Sequence, residues 1–155
     1  MRIKMNRNNI YMRLLLRMLL IIPLATALIK DAPATPYIKI DSSSAVKSLL
    51  GDALSKYKEK EYEQAAALLE RALRIKPRHP ILWYNLAGVR LTQGQMKRAA
   101  NLAQKSNALA GTNKRYRRLR IRNWVLIARA CESMEDGKKC VDEALKRAQA
   151  LSQAW

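Results

Sequence analysis

The 155-residue sequence contains no phenylalanine, one histidine, two cysteines, five glycines and five prolines. Each shortage excludes something. Gly51, Gly88, Gly94, Gly111 and Gly137 are scattered singly, whereas a phosphate-cradling loop or a dinucleotide fingerprint needs clustered glycines. One His and two Cys cannot furnish an ordinary structural zinc site without carboxylates, and no metal-ligand spacing occurs. No metal or cofactor is expected. Acidic residues are scarce too, 12 against 30 Lys and Arg, and they gather as EKEYE and ESMED where helix ends and turns are expected. Solvation explains such clusters better than a catalytic carboxylate pair. His79, between Arg78 and Pro80, reads as a solvated turn residue. The chain is therefore read as a non-enzyme with no small-molecule substrate.

What remains is rich in Ala, Leu, Lys, Arg and Gln, all good helix formers, and this composition predicts an all-α protein. The net charge of +18 attracts nucleic acid, anionic lipid headgroups or acidic proteins without choosing among them.

The N-terminal part differs from the rest. Arg2, Lys4, Arg7, Arg13 and Arg17 precede the apolar run MLLIIPLATALI, residues 18–29, which ends near the small-x-small triplet Ala25-Thr26-Ala27. A basic start, a short apolar core and such a triplet form the pattern of a secretory signal peptide. A full membrane span takes about twenty apolar residues, and Pro23 interrupts this shorter run. Residues 1–27 are thus a signal peptide or, if retained, an N-terminal membrane anchor helix, and both readings stay open. Ala32-Pro33-Ala34 offers a second, weaker cleavage point, and no Cys lies near the run to carry a lipid. Residues 28–43, with Pro33, Pro36 and two serines, read as a linker. The expected location is exported: periplasmic, or tethered to the inner membrane and facing the periplasm.

The remainder repeats itself. At an offset of 34 residues Leu49 falls on Trp83, Ala53 on Ala87, Tyr57 on Leu91, Ala65 on Ala99 and Leu68 on Leu102. At an offset of 41, Trp83 falls on Trp124, Ala87 on Ala128, Ala99 on Cys140 and Ala103 on Ala144. Trp83, Leu86, Ala87 and Leu91 share one face of a first helix, and Ala99, Leu102 and Ala103 one face of a second. Gly94 suits the helix end between them, and Pro77 and Pro80 suit a unit boundary. Lys60 stands where the first unit would place that glycine. In the third unit the extra residues fall in TNKRYRRLRIR, where Thr112 or Asn113 would cap a first helix lengthened backward. A last helix is expected from about Lys138 to Gln153.

This pattern resembles the tetratricopeptide repeat. The resemblance implies a short right-handed solenoid of about three antiparallel helix pairs, with units at about 46–79, 80–113 and 114–155, the third degenerate. It covers residues 44–155, and three units are roughly the minimum for a stable stack.

The resemblance also implies a concave groove, lined by the first helix of each pair, that takes an extended peptide or a helix. Its groove-facing residues here would be Lys47, Leu50, Leu54 and Tyr57, then Tyr84, Asn85 and Gly88, then Arg122, Val125 and Arg129. Asn85 fits the family's carboxylate clamp, but Leu50 and Leu54 stand where its Lys and Asn would be. An apolar, aromatic-lined groove with a basic end suits a peptide carrying acidic residues. Simple packing is the competing role for Tyr57 and Tyr84.

Two further features are legible. Lys114, Arg115, Arg117, Arg118, Arg120 and Arg122 crowd a helix whose apolar stripe is Tyr116, Leu119, Trp124, Ile127 and Cys131. They are expected to spread around it, doing little for the fold, either as a solvated face or as a surface for anionic membrane or, less favoured, nucleic acid. Only Tyr116 interleaves with them, which is poor support for base stacking. Cys131 and Cys140, both expected on inward faces, would either close a disulfide in an oxidising compartment or remain buried thiols. The primary reading is a protein-interaction scaffold of the bacterial envelope; the alternative is a basic protein that binds nucleic acid or anionic membrane through residues 114–122.

Overall fold

The structure is a computed structural model, and it describes residues 44–135 and 137–153. All described residues belong to one compact unit. The expected signal or anchor segment and the linker fall outside them.

Six α-helices run through the described residues, with no strand among them: α1 Ser44–Lys58, α2 Tyr62–Ile75, α3 Pro80–Thr92, α4 Met96–Ala110, α5 Arg117–Glu132 and α6 Gly137–Gln153. They pack as three antiparallel hairpins, α1 on α2, α3 on α4 and α5 on α6. Each hairpin joins the next through α2 on α3 and α4 on α5, and α3 also touches α5. No helix among the described residues is long and apolar enough to cross a membrane.

Small residues allow these close approaches. Ala53, Ala65 and Leu69 share one apolar cluster in the first hairpin, and Ala87, Ala99 and Ala103 share another in the second; all are fully buried. Two apolar clusters result, one over α1–α3 and one over α3–α6. α3 belongs to both: Leu82, Leu86 and Val89 enter the first, Tyr84 and Ala87 the second.

The turns repeat as the helices do. After α3, the Gly94 amide bonds the Leu91 carbonyl at 3.0 Å and the Gln95 amide bonds the Arg90 carbonyl at 2.9 Å. After α1, Lys60 bonds Tyr57 at 3.1 Å and Glu61 bonds Lys56 at 2.9 Å, the same pattern 34 residues earlier. This is the Schellman arrangement, which needs a left-handed residue after the helix. Gly94 has φ +74° and Lys60 φ +62°, so the first unit keeps the geometry without the glycine.

The third unit departs from the expected outline in one place. Its first helix does not extend back to residue 114; Lys114–Tyr116 form a 3-10 turn, and the Asn113 side chain accepts the Arg115 amide at 2.9 Å. The junction of the second and third units is polar inside. Asn123, fully buried, donates to Ser106 Oγ at 2.8 Å and to Asn107 Oδ1 at 2.9 Å. Ser106 Oγ in turn donates to the Pro80 carbonyl at 2.8 Å, so α3, α4 and α5 share one buried chain of bonds.

His79 is half-buried rather than solvated. Burial, then the charges of Lys76 and Arg115, hold its pKa below the ordinary value.

Two outcomes are expected. A left-handed backbone costs an L-residue about 1–2 kcal/mol, and glycine's greater unfolded-state freedom offsets about 0.4–1 kcal/mol of that. Lys60→Gly should therefore raise the urea-unfolding free energy by about 0.5 kcal/mol; a lower value would show that Lys60 is unstrained. For His79 the folded state binds the proton less readily than the unfolded one. Stability should accordingly fall as pH drops through about 6.5, the ordinary histidine value. His79→Gln should flatten that slope in thermal melts taken across the range.

Candidate functional site

The expected groove residues lie on α1, α3 and α5, and they differ in exposure. On α1 and α3 most of these positions are withdrawn from water. Leu50 and Tyr84 are each 6% exposed, Asn85 is 0% exposed, Gly88 is buried, and Leu54 and Tyr57 are half-buried. On α5, Arg122 and Arg129 are exposed and Val125 is 38% exposed; Lys47 of α1 is exposed as well. Asn85 therefore offers no open surface to a ligand as the groove stands.

Electrostatics links these helices. Burial pushes the Tyr84 phenol above its ordinary pKa, while the positive charges of Arg122 and Arg129 pull it down and Tyr57 pushes it up. Charges from the first helices on both sides of α3 thus act on Tyr84. Tyr57 is positioned by its hydroxyl, 3.0 Å from Thr92 Oγ1, and by the Tyr62 ring with centroids 5.4 Å apart. Thr92 Oγ1 itself donates to the Gly88 carbonyl at 3.1 Å. Thr92 and Tyr62 were not among the expected groove residues. The available signal was positional: Thr92 lies one unit plus one residue after Tyr57.

The basic segment splits into two groups. Arg117 Nε donates to the Leu151 carbonyl at 2.7 Å and an Arg117 terminal nitrogen donates to Ser152 at 2.6 Å, capping the C-terminal carbonyls of α6. A cation at a helix C-terminus also opposes the helix dipole favourably. Arg120 donates to the Gly111 carbonyl at 2.6 Å. Arg117 thus ties α5 to α6 and Arg120 ties α5 to the end of α4, contrary to the expectation that the cations do little for the fold. Lys114, Arg115, Arg118 and Arg122 are exposed.

Cys131 and Cys140 are joined as a disulfide across the α5–α6 hairpin, with Cα atoms 5.9 Å apart. Cys131 is buried, but Cys140 is exposed rather than inward. The hairpin is tight enough that a Cβ at Gly137 would overlap the Cys131 carbonyl. Beside the disulfide, the Arg147 guanidinium lies 4.8 Å from the Trp124 ring centroid in an open cleft that also includes Gln104 and Ile127. Among the described residues, no group of three or more His, Cys, Asp or Glu is placed to hold a metal ion.

A family profile described as tetratricopeptide repeat matches residues 56–121. The solved globular C-terminal domain of LpoP from P. aeruginosa is 33% identical, with a TM-score of 0.64. That likeness covers 70% of this chain and 99% of the LpoP domain. The chain belongs to the tetratricopeptide repeat family. No curated protein matches it. The profile takes in the end of α1 through the first turns of α5, the stretch in which Tyr57 and Tyr84 lie. A repeat stack of this kind supports a protein–protein interaction role in general.

The division of the arginines is measurable. Arg117→Ala should lower stability by about 1.5 kcal/mol, since it removes charge-assisted bonds to two carbonyls. Amide exchange should quicken in the last turn of α6. Arg118→Ala, at an exposed site, should leave both unchanged; equal effects from the two variants would contradict the capping role.

Proposed function

We propose that this protein is a non-catalytic interaction module of the bacterial envelope that holds a peptide or helix of acidic character in its inner groove. The observation that carries this is the exposed face of α5, where Arg122, Val125 and Arg129 stand open at helical spacing, with the two arginine charges also acting on Tyr84 of α3. Arginine and tyrosine combine charge-assisted bonding with large, low-entropy contact area, the combination that dominates binding energy at protein interfaces. Exposed Val125 beside the two arginines adds an apolar contact, so an acidic residue flanked by an apolar one is the expected ligand chemistry.

Export is supported by two independent features. The leader has the signal-peptide pattern, and the Cys131–Cys140 disulfide persists only in an oxidising compartment such as the periplasm. The module would then be released into the periplasm or held at the inner membrane facing it.

A second reading rests on the exposed cations Lys114, Arg115 and Arg118, which would dock on anionic lipid at about 1 kcal/mol per residue, or on nucleic acid. Salt separates the two readings, because phosphate contacts weaken steeply as counterions compete.

The test is affinity capture from the native cells on the full mature chain, washed at low and then high salt. A discrete protein should survive the high-salt wash. Arg122→Glu with Arg129→Glu should reduce its capture at least about tenfold, roughly 1.4 kcal/mol, while Lys114→Glu with Arg115→Glu should leave it unchanged. Retention of only lipid or nucleic acid, lost as salt rises, would replace the groove by the basic surface.

A further inference from the structure

The third unit exposes a stripe that the first two units bury. At the two repeat offsets, Lys47, Leu50, Leu54 and Tyr57 of α1 fall on Ile81, Tyr84, Gly88 and Leu91 of α3. These fall in turn on Arg122, Val125, Arg129 and Glu132 of α5. On α1 only Lys47 of the set is exposed and on α3 none is, whereas on α5 every member is. The apolar clusters show why. Leu50 lies in the cluster to which α3 brings Leu82, Leu86 and Val89, and Tyr84 in the one to which α5 brings Leu119, Leu126 and Ile127. In the first two units the stripe is thus closed on the side where the next first helix joins. Among the described residues no helix closes the α5 copy.

Composition has changed with the surroundings. Where α3 has Ile, Tyr, Gly and Leu, α5 has Arg, Val, Arg and Glu, and Arg118 adds an exposed cation one turn earlier. Arg118, Arg122, Val125, Arg129 and Glu132 are the exposed residues of α5, at spacings of four, three, four and three. Their mean spacing of 3.5 is the one along which a second helix keeps contact at a shallow crossing angle. From end to end the stripe covers about 21 Å, room for a helix of about four turns.

We infer that α5 takes one helix of a separate protein partner along this stripe, in the place that the next first helix holds in the first two units. That helix carries carboxylates opposite Arg122 and Arg129 and an aliphatic side chain opposite Val125. Carboxylate–arginine bonds set its register, because they are charge-assisted and directional. A second copy of this chain fits the place poorly. Its α1 would present Ser48, Asp52 and Ser55, the exposed equivalents of Leu82, Leu86 and Val89, with one carboxylate for three arginines and nothing apolar for Val125. Two chains of net charge +18 also repel. The inference rests on α5 as the contact surface and goes further in fixing the partner's conformation. An extended partner would therefore sink it and leave the functional reading above intact.

The probe is a synthetic peptide held helical by a hydrocarbon staple on one face, with Glu, Leu and Glu at spacings of three and four residues on the other. A second stapled peptide has the same composition with both glutamates moved off that face, and a third is unstapled with a central proline. The basic chain attracts any acidic peptide, so only differences between peptides of equal charge count. In fluorescence polarisation at physiological salt, the first should bind at least about tenfold more tightly than the other two. Arg122→Glu with Arg129→Glu should erase that difference and favour a version with Lys in place of Glu. Lys97→Glu with Lys105→Glu, the same charge change at exposed positions of α4, should leave it unaltered. If the double arginine variant melts early, Val125→Asp carries the same test. Equal binding of the helical and proline peptides would overturn the helical partner. Equal binding of the two stapled peptides, or binding by none, would remove the stripe as its site. Concentration-dependent self-association that is lost in Asp52→Lys would give the place to a second copy and contradict the inference as well.

Discussion

The structure depends on a helix that has no solvent face along most of its length. From Tyr84 to Arg90 every residue of α3 is buried, because the helix is shared between two apolar clusters instead of covering one. A helix enclosed on all sides cannot rotate or shift without disturbing both neighbours. That constraint sets the register of the first hairpin against the third. It also explains the one charged residue inside. Arg90 is buried, yet its guanidinium reaches Glu70 at 2.7 Å, Gln93 at 2.8 Å and Glu63 at 3.4 Å, all at the margin of the core. A buried cation is tolerable only when paired and hydrogen-bonded, so the position of Arg90 fixes where α2 and the α3–α4 turn must lie.

Enclosing α3 decides which residues stay open. Tyr84 and Gly88 lie at depths that water does not reach, whereas Arg122, Val125 and Arg129 of α5 are exposed. Arg117 and Arg120 of the same helix are spent on carbonyls of α6 and of the α4 end. Neighbouring residues of the same type thus have opposite roles, settled only by which backbone acceptors come within reach.

The disulfide belongs to the same logic of closure. The tight α5–α6 turn of the third hairpin is held by Cys131–Cys140 and by the close approach at Gly137. A cross-link across a short loop stabilises mainly by restricting the unfolded chain.

The sequence by itself determined the helices, their pairing and the family, because apolar spacing and small-residue positions recur at 34 residues and are local properties of the chain. By sequence Lys60 was a departure from the pattern at the position of Gly94, and the structure keeps the same helix-ending turn there. What the tertiary structure alone decided is which equivalent-looking residues are open. Asn85 matched the family's clamp by position but lies fully buried; Cys140 matched a small inward residue but faces outward; Arg117 was one of six alike cations but caps another helix. Each outcome depends on neighbours brought in from elsewhere in the chain, up to 35 residues away in the case of Arg117 and Ser152. Periodicity records which face a residue occupies, not how deeply the next helix covers it or which carbonyl that helix presents.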